Sequence, residues 1–225
     1  MNTPQQDAFS FSTTGRAAIV SGITGIIAIG FLITFLATRD KDLLSSIIRL
    51  RIHDAGVIIQ FILLIPVISG LYKLLQENPN YMSRLTLKVG VWALSFTALL
   101  LFLGIIKVVS DGLYTVSQGI FGVWLIVANW KLKGIFPGWL RWFGMVVGLG
   151  LALVGTFCIG YAIFVSTLIL KIPAATIEEI QKIPFDTPAN QILHKIIWIG
   201  SPMGVLTLPF WTLLLGLRLL KNKNA

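Results

Sequence analysis

His53 is followed by Asp54, and His194 is followed by Lys195. Two imidazoles can ligate one metal ion or fill both axial positions of a haem, and a neighbouring carboxylate can orient an imidazole by accepting its second N–H. Lys107 and Asp111 add a cation and a carboxylate four residues apart. These six residues form the candidate polar site, with His53 and His194 as candidate cofactor ligands. Ionisable groups in or beside membrane spans are functional candidates as a rule. Against a ligand role, histidine at a helix start near the head-group layer is ordinarily solvated or hydrogen-bonded to a neighbour. Two residues also carry no spacing signature of the kind that marks a structural zinc site. No catalytic residue, metal or cofactor is therefore predicted, and haem is the alternative the two histidines leave open.

The elements that must position these groups are membrane spans. Hydrophobic residues make up 56% of the 225 positions and charged residues 12%, about half the charged share of a soluble domain. The mean hydropathy is +0.85. A hydrocarbon core of about 30 Å needs about 20 apolar residues of helix, which also satisfies its own backbone hydrogen bonds. Six stretches meet that length, over residues 17–37, 55–75, 87–106, 113–130, 142–170 and 196–220. The expected fold is an all-α transmembrane bundle of six helices forming one domain over residues 1–225. The first stretch exceeds the short apolar core of a secretory signal and is read as a mature helix.

The second and sixth spans carry Pro66, Pro202 and Pro209, where a missing amide donor should kink the helix. The fifth is long enough to tilt or project beyond the bilayer. In a six-span arrangement His53, Asp54, Lys107, Asp111, His194 and Lys195 all fall on one side. Ten of the 18 Lys and Arg fall on the side of the termini, and seven of the nine acids on the other. The cation bias places the termini on the cytoplasmic side of the membrane. The net charge of +9 thus reads as topology and contact with anionic lipid, not as a nucleic-acid surface. Trp130, Phe136, Trp139 and Trp142 around Lys131, Lys133 and Arg141 match an interfacial aromatic belt anchored by cations.

Two connections are long enough for structure of their own. From Arg39 to His53, Leu43, Ile47 and Leu50 recur at helical spacing, as in an interfacial helix or an extension of the second span. Between Pro173 and Pro184 the acidic run IEEIQK forms another short amphipathic helix. Gly144 and Gly148, like Ser21 and Gly25, offer small faces for close helix contact, inside the bundle or between two copies. Gln60 and Asn129 are expected to hydrogen-bond between helices. The single cysteine, Cys158, excludes an internal disulfide or a thiol pair. No GxSxG, HExxH or phosphate-binding glycine loop is present.

The run GVWLIVANWKLKGIFPGWLRWFGMVVGLGLAL, Gly122 to Leu153, and the closing TLLLGLRLL, Thr212 to Leu220, resemble a broad family of uncharacterised bacterial six-span membrane proteins. In that family a Gly/Trp-containing helix leads through a Pro-x-Trp-Leu turn into a Gly-rich helix. The resemblance implies an integral inner-membrane protein and transfers no catalytic or binding residue. The expected function is a non-enzymatic membrane subunit or assembly factor working through helix packing, its partners the lipid bilayer, other membrane proteins or a second copy. The alternative is a small transporter or channel for an apolar or lipid-like molecule, with the kinked spans lining a path. A haem or metal redox protein comes third.

Overall fold

The computed structural model describes residues 4–38, 43–76, 82–183 and 187–222. The expected charges at Arg39, Asp40, Lys41 and Asp42, at Glu77, and at Asp186 and Lys223 lie outside them, as does Pro184. The order is α1 (Pro4–Thr38), α2 (Leu43–Gln76), α3 (Arg84–Ile105), α4 (Tyr114–Lys131), α5 (Gly138–Phe164), a 3-10 turn (Thr167–Leu170), α6 (Ile177–Gln181), α7 (Pro188–Gly200), a π turn (Ser201–Val205) and α8 (Leu208–Asn222). No strand occurs among the described residues, and the chain is all-α.

Among the described residues, five segments are long and apolar enough to cross a membrane: Ser12–Thr38, Ser45–Gln76, Arg84–Ile105, Gly138–Phe164 and Pro188–Lys221. Six were expected, and the difference is α4. At 18 residues it is the shortest of the long helices, about 27 Å at 1.5 Å per residue, and it carries Ser117, Gln118 and Asn129. All three are buried, because α4 packs against α3 and α5 with its polar groups facing protein, while Ile120, Val123 and Val127 stay exposed. The Thr97 hydroxyl donates to the Ser117 hydroxyl at 3.0 Å, and Trp124 Nε1 donates to Thr86 O at 2.8 Å, so α3 and α4 are joined by hydrogen bonds as well as packing.

Three other readings are settled. Of the two alternatives for the segment before Ala55, the extension of the second span holds: from Leu43 it runs without a break into α2. The fifth span stops at Phe164 rather than 170, where the chain turns into the 3-10 segment. The sixth begins earlier, at Pro188, and is divided into α7 and α8 by the π turn containing Pro202, whose flanking Gly200 and Leu206 keep helical backbone angles. The acidic IEEIQK run does form a short helix, α6, closed at its start by a capping box between Thr176 and Glu179.

The helices pack as a ring, α8 on α1, α1 on α2, α2 on α3, α3 on α4, α4 on α5 and α5 on α7. The core runs through Phe61, Leu64, Ile68, Leu71, Phe121, Trp124, Trp211 and Leu215, with Phe61 and Phe121 edge to face at 6.4 Å and Phe121 stacked on Trp124 at 5.7 Å. Outside, the ring presents Val20, Ile23, Ile27, Phe102, Ile163 and Phe210, a surface suited to hydrocarbon. Trp130, Trp139 and Trp142 are exposed as an aromatic belt requires, whereas Phe136 is buried and belongs to the core. Arg141 Nε donates to Asn129 O at 3.0 Å, closing the end of α4.

The small residues act within this bundle. Ser21 Oγ donates to Gln60 O at 3.1 Å, and Gly25 lies under Pro209 and the Gln60 side chain. Asn129, expected to bond across helices, donates instead to Leu125 O of its own helix at 2.9 Å. Gly144 is the reason: the Asn129 amide sits where a Cβ at 144 would be. At the crossing of α4 on α5, a Cβ on Gly119 would fall 2.6 Å from Gly155 Cα. Backbone cannot yield as a side-chain tip can. Gly119→Ala should lower stability by about 1–3 kcal/mol, read as earlier thermal unfolding in detergent, while Gly30→Ala, with nothing within 4 Å of a new Cβ, should not.

Candidate functional site

Where α7 leaves the line of α8, the bundle opens. α1 packs along α8, but α7 is drawn onto α5, because Gly200 and Gly204 meet Gly150 there. A Cβ on Gly150 would lie 2.3 Å from Gly204 N, so only glycine permits this approach. The end of α1 and the start of the last span are thereby left apart. Between them lies a cavity of about 610 Å³, walled by Leu32, Ile33 and Leu36 of α1, Leu101 and Ile105 of α3, Val154 of α5, Ile197 and Trp198 of α7, and Ser201, Pro202 and Val205 of the π turn. Its volume is within the roughly 300–1,000 Å³ usual for small-molecule sites. Ile33, Leu36 and Trp198 of its lining are exposed, so large apolar side chains border its opening.

Polar groups gather at one part of this wall: Arg51, His53, Asp54, Lys107, Asp111, Tyr114 and Thr115. Arg51 and Asp54 stand one turn apart on α2 and pair at 3.7 Å. Lys107 and Asp111, in the turn between α3 and α4, pair at 2.5 Å. His53 Nδ1 lies 2.9 Å from Ala28 O, so with Nδ1–H donating to that carbonyl, Nε2 is left as the acceptor. Four of the six residues singled out from the sequence thus line one cavity.

His194 lines a second one, of about 710 Å³, together with Phe157, Tyr161, Ile169, Ile180, Ile183 and Asn190. The two histidines therefore open onto different spaces, and the arrangement offers no shared pocket with both on its wall. Lys195 is exposed on α7 and lines neither cavity. Lys107 and Asp111 line both, so the pair stands where the cavities adjoin. Among the described residues no group of three or more His, Cys, Asp or Glu could hold a metal ion.

Sequence reasoning missed Arg51, Tyr114 and Trp198. Arg51 was open to discovery, since residues three apart share a helix face and Asp54 was already a candidate. Tyr114 and Trp198 join the wall only through tertiary packing, which no local spacing reports.

The second cavity is roofed by the segment after α5. Ser166 Oγ accepts from Leu168 N at 3.2 Å, Ile169 reaches over Gly112, and Lys171 Nζ donates to Glu179 Oε1 at 2.5 Å. Glu179 Oε2 also accepts from Thr176 N at 3.0 Å.

No family model, curated protein or solved structure matches this chain, which agrees with a family resemblance carried by structural motifs of low specificity.

The bond from Lys171, and then that from Thr176 N, hold the Glu179 carboxyl below the usual glutamate range. A lowered folded-state value stabilises the roof above the unfolded glutamate pKa, and the effect is lost as pH falls through the folded value. Amide exchange in residues 176–182 should therefore be unchanged between pH 7 and pH 5 after correction for intrinsic rates, and should rise selectively below about pH 4. Glu179→Gln should show the raised exchange already at pH 7.

Proposed function

We propose that this is a membrane protein that takes up an amphiphilic, lipid-like molecule from the bilayer into the cavity at the break in its last span. The observation that carries this reading is the composition of that cavity: a largely apolar wall bordered by exposed Ile33, Leu36 and Trp198, with its charged groups collected at one part. An acyl chain entering between α1 and α7 meets mostly Leu, Ile, Val and Trp side chains, with Ser201 and Pro202 among them, while its head group comes to rest among Arg51, His53, Asp54, Lys107 and Asp111. A broken helix within a span leaves backbone groups without their regular partners, and such breaks are tolerated where they line a cavity or are buried in protein. A lipid-handling or small transport role therefore fits the geometry better than a subunit acting through packing alone, because the glycine contact that draws α7 onto α5 leaves beside it a cavity that packing does not fill.

In this reading α4 is a sixth crossing, its polar groups packed against protein and its Ile120, Val123 and Val127 turned to lipid, and both termini share one side of a bacterial inner membrane. The excess of Lys and Arg on that side supports a cytoplasmic location for them. The cavities and the α6 roof then face outward. The break in the last span is where one half of the bundle could shift against the other to release the molecule.

The reading is tested by filling the cavity. Ile105→Trp combined with Val205→Trp places two large rings in the apolar part of the wall. Native mass spectrometry of the gently extracted protein should show retained lipid on the unaltered chain and its loss, about tenfold or more, from the double variant, with thermal unfolding of the two proteins alike. Equal retention by both would place the lipid on the outer surface and remove the basis for a cavity ligand.

A further inference from the structure

Lys107 occupies an unusual place for a lysine. It follows the C-terminus of α3 in the left-handed region, with φ +60°. Its N–H donates to Gly104 O at 2.9 Å and that of Val108 to Leu103 O at 2.9 Å, the paired bonds that close a helix and that usually have glycine at the left-handed residue. Any residue with a Cβ is strained there. The ion pair with Asp111 does not offset this, because both side chains are more than half exposed and exposed pairs contribute little. Backbone strain kept at a cavity wall points to a use for the side chain.

The rest of the wall indicates what that use is. Two cations, Arg51 and Lys107, and two carboxylates, Asp54 and Asp111, line the same cavity. Each cation is paired with one carboxylate, so this charged part is electrically balanced. A purely anionic head group would meet two like charges, and a purely cationic one likewise. A head group with both signs exchanges each existing pair for two charge-assisted contacts. The remaining groups facing it are His53, already hydrogen-bonded through Nδ1, and Tyr114, neither of which alters the balance when neutral.

We infer that the cavity selects a zwitterionic phospholipid, its phosphate received by Lys107 and Arg51 and its ammonium by Asp54 and Asp111. One acyl chain enters the apolar cavity and the second stays in the bilayer. The inference rests on the cavity reading above and adds to it the class of head group.

The test is competitive retention of phosphatidylethanolamine and phosphatidylglycerol with matched chains, measured by native mass spectrometry on the full chain. The unaltered protein should favour phosphatidylethanolamine by about tenfold. Lys107→Gly removes the ammonium and relieves the strain at once, so it should lose that preference while its melting temperature stays the same or rises, and Lys107→Arg should keep it. Asp54→Asn with Asp111→Asn should invert the preference. Equal retention of both lipids by the unaltered protein, with retention still abolished by the tryptophan double variant, would overturn the head-group assignment and leave the cavity reading standing. Retention that the tryptophan variant does not reduce would overturn the cavity reading itself. A lower melting temperature for Lys107→Gly with unchanged lipid preference would make Lys107 a structural residue and also overturn the assignment.

Discussion

Hydrocarbon offers no hydrogen-bond partner to a peptide group, so a chain that crosses it must stay helical or hide every break inside itself. The last span of this protein is broken at Ser201–Val205, and the break is held against α5 by glycine on both sides, with Gly150 close enough to Gly204 that no Cβ fits between them. That contact draws α7 away from α1 while α8 stays on it. The lateral opening, the cavity behind it and the polar groups at its wall all follow from this one divergence.

The opposite end of the bundle shows what the fold does without a break. Gly15 and Gly22 of α1 lie against Gly216 and Leu213 of α8 with no room for a side chain, and the two helices close the ring. Lipid supplies no hydrophobic drive for helices to associate, and close backbone approach through small residues takes its place. The protein thus uses one device twice, at one end to shut the ring and at the other to pull one helix out of it.

Much of this architecture is legible in the sequence, because the period and length of apolar runs report directly on the solvent. The membrane class, the exposed tryptophans at 130, 139 and 142, and the helix at Ile177–Gln181 follow from residue types and caps. α4 marks the limit: Gln118 and Asn129 lower its apolar character because neighbouring helices, not lipid, surround them, and burial by protein is a tertiary fact. Pro202 announced a bend in the last span, yet the separation into two helices depends on Gly150, fifty residues away. The polar site was half legible. His53, Asp54, Lys107 and Asp111 come together on one wall, but His194 lines another cavity, Lys195 lines neither, and the left-handed backbone of Lys107 carries no local signal at all.

The claim on which the rest hangs is that the cavity at the broken span holds an acyl chain. It is tested most directly with a phospholipid carrying a photoactivatable group partway along one chain, crosslinked to the protein in its membrane and mapped by peptide mass spectrometry. Adducts concentrated on Leu101, Ile105 and Val205, which face the cavity, are the predicted result. Adducts confined to Val20, Ile23 and Phe102, which face outward, would mean that lipid only surrounds this protein and does not enter it.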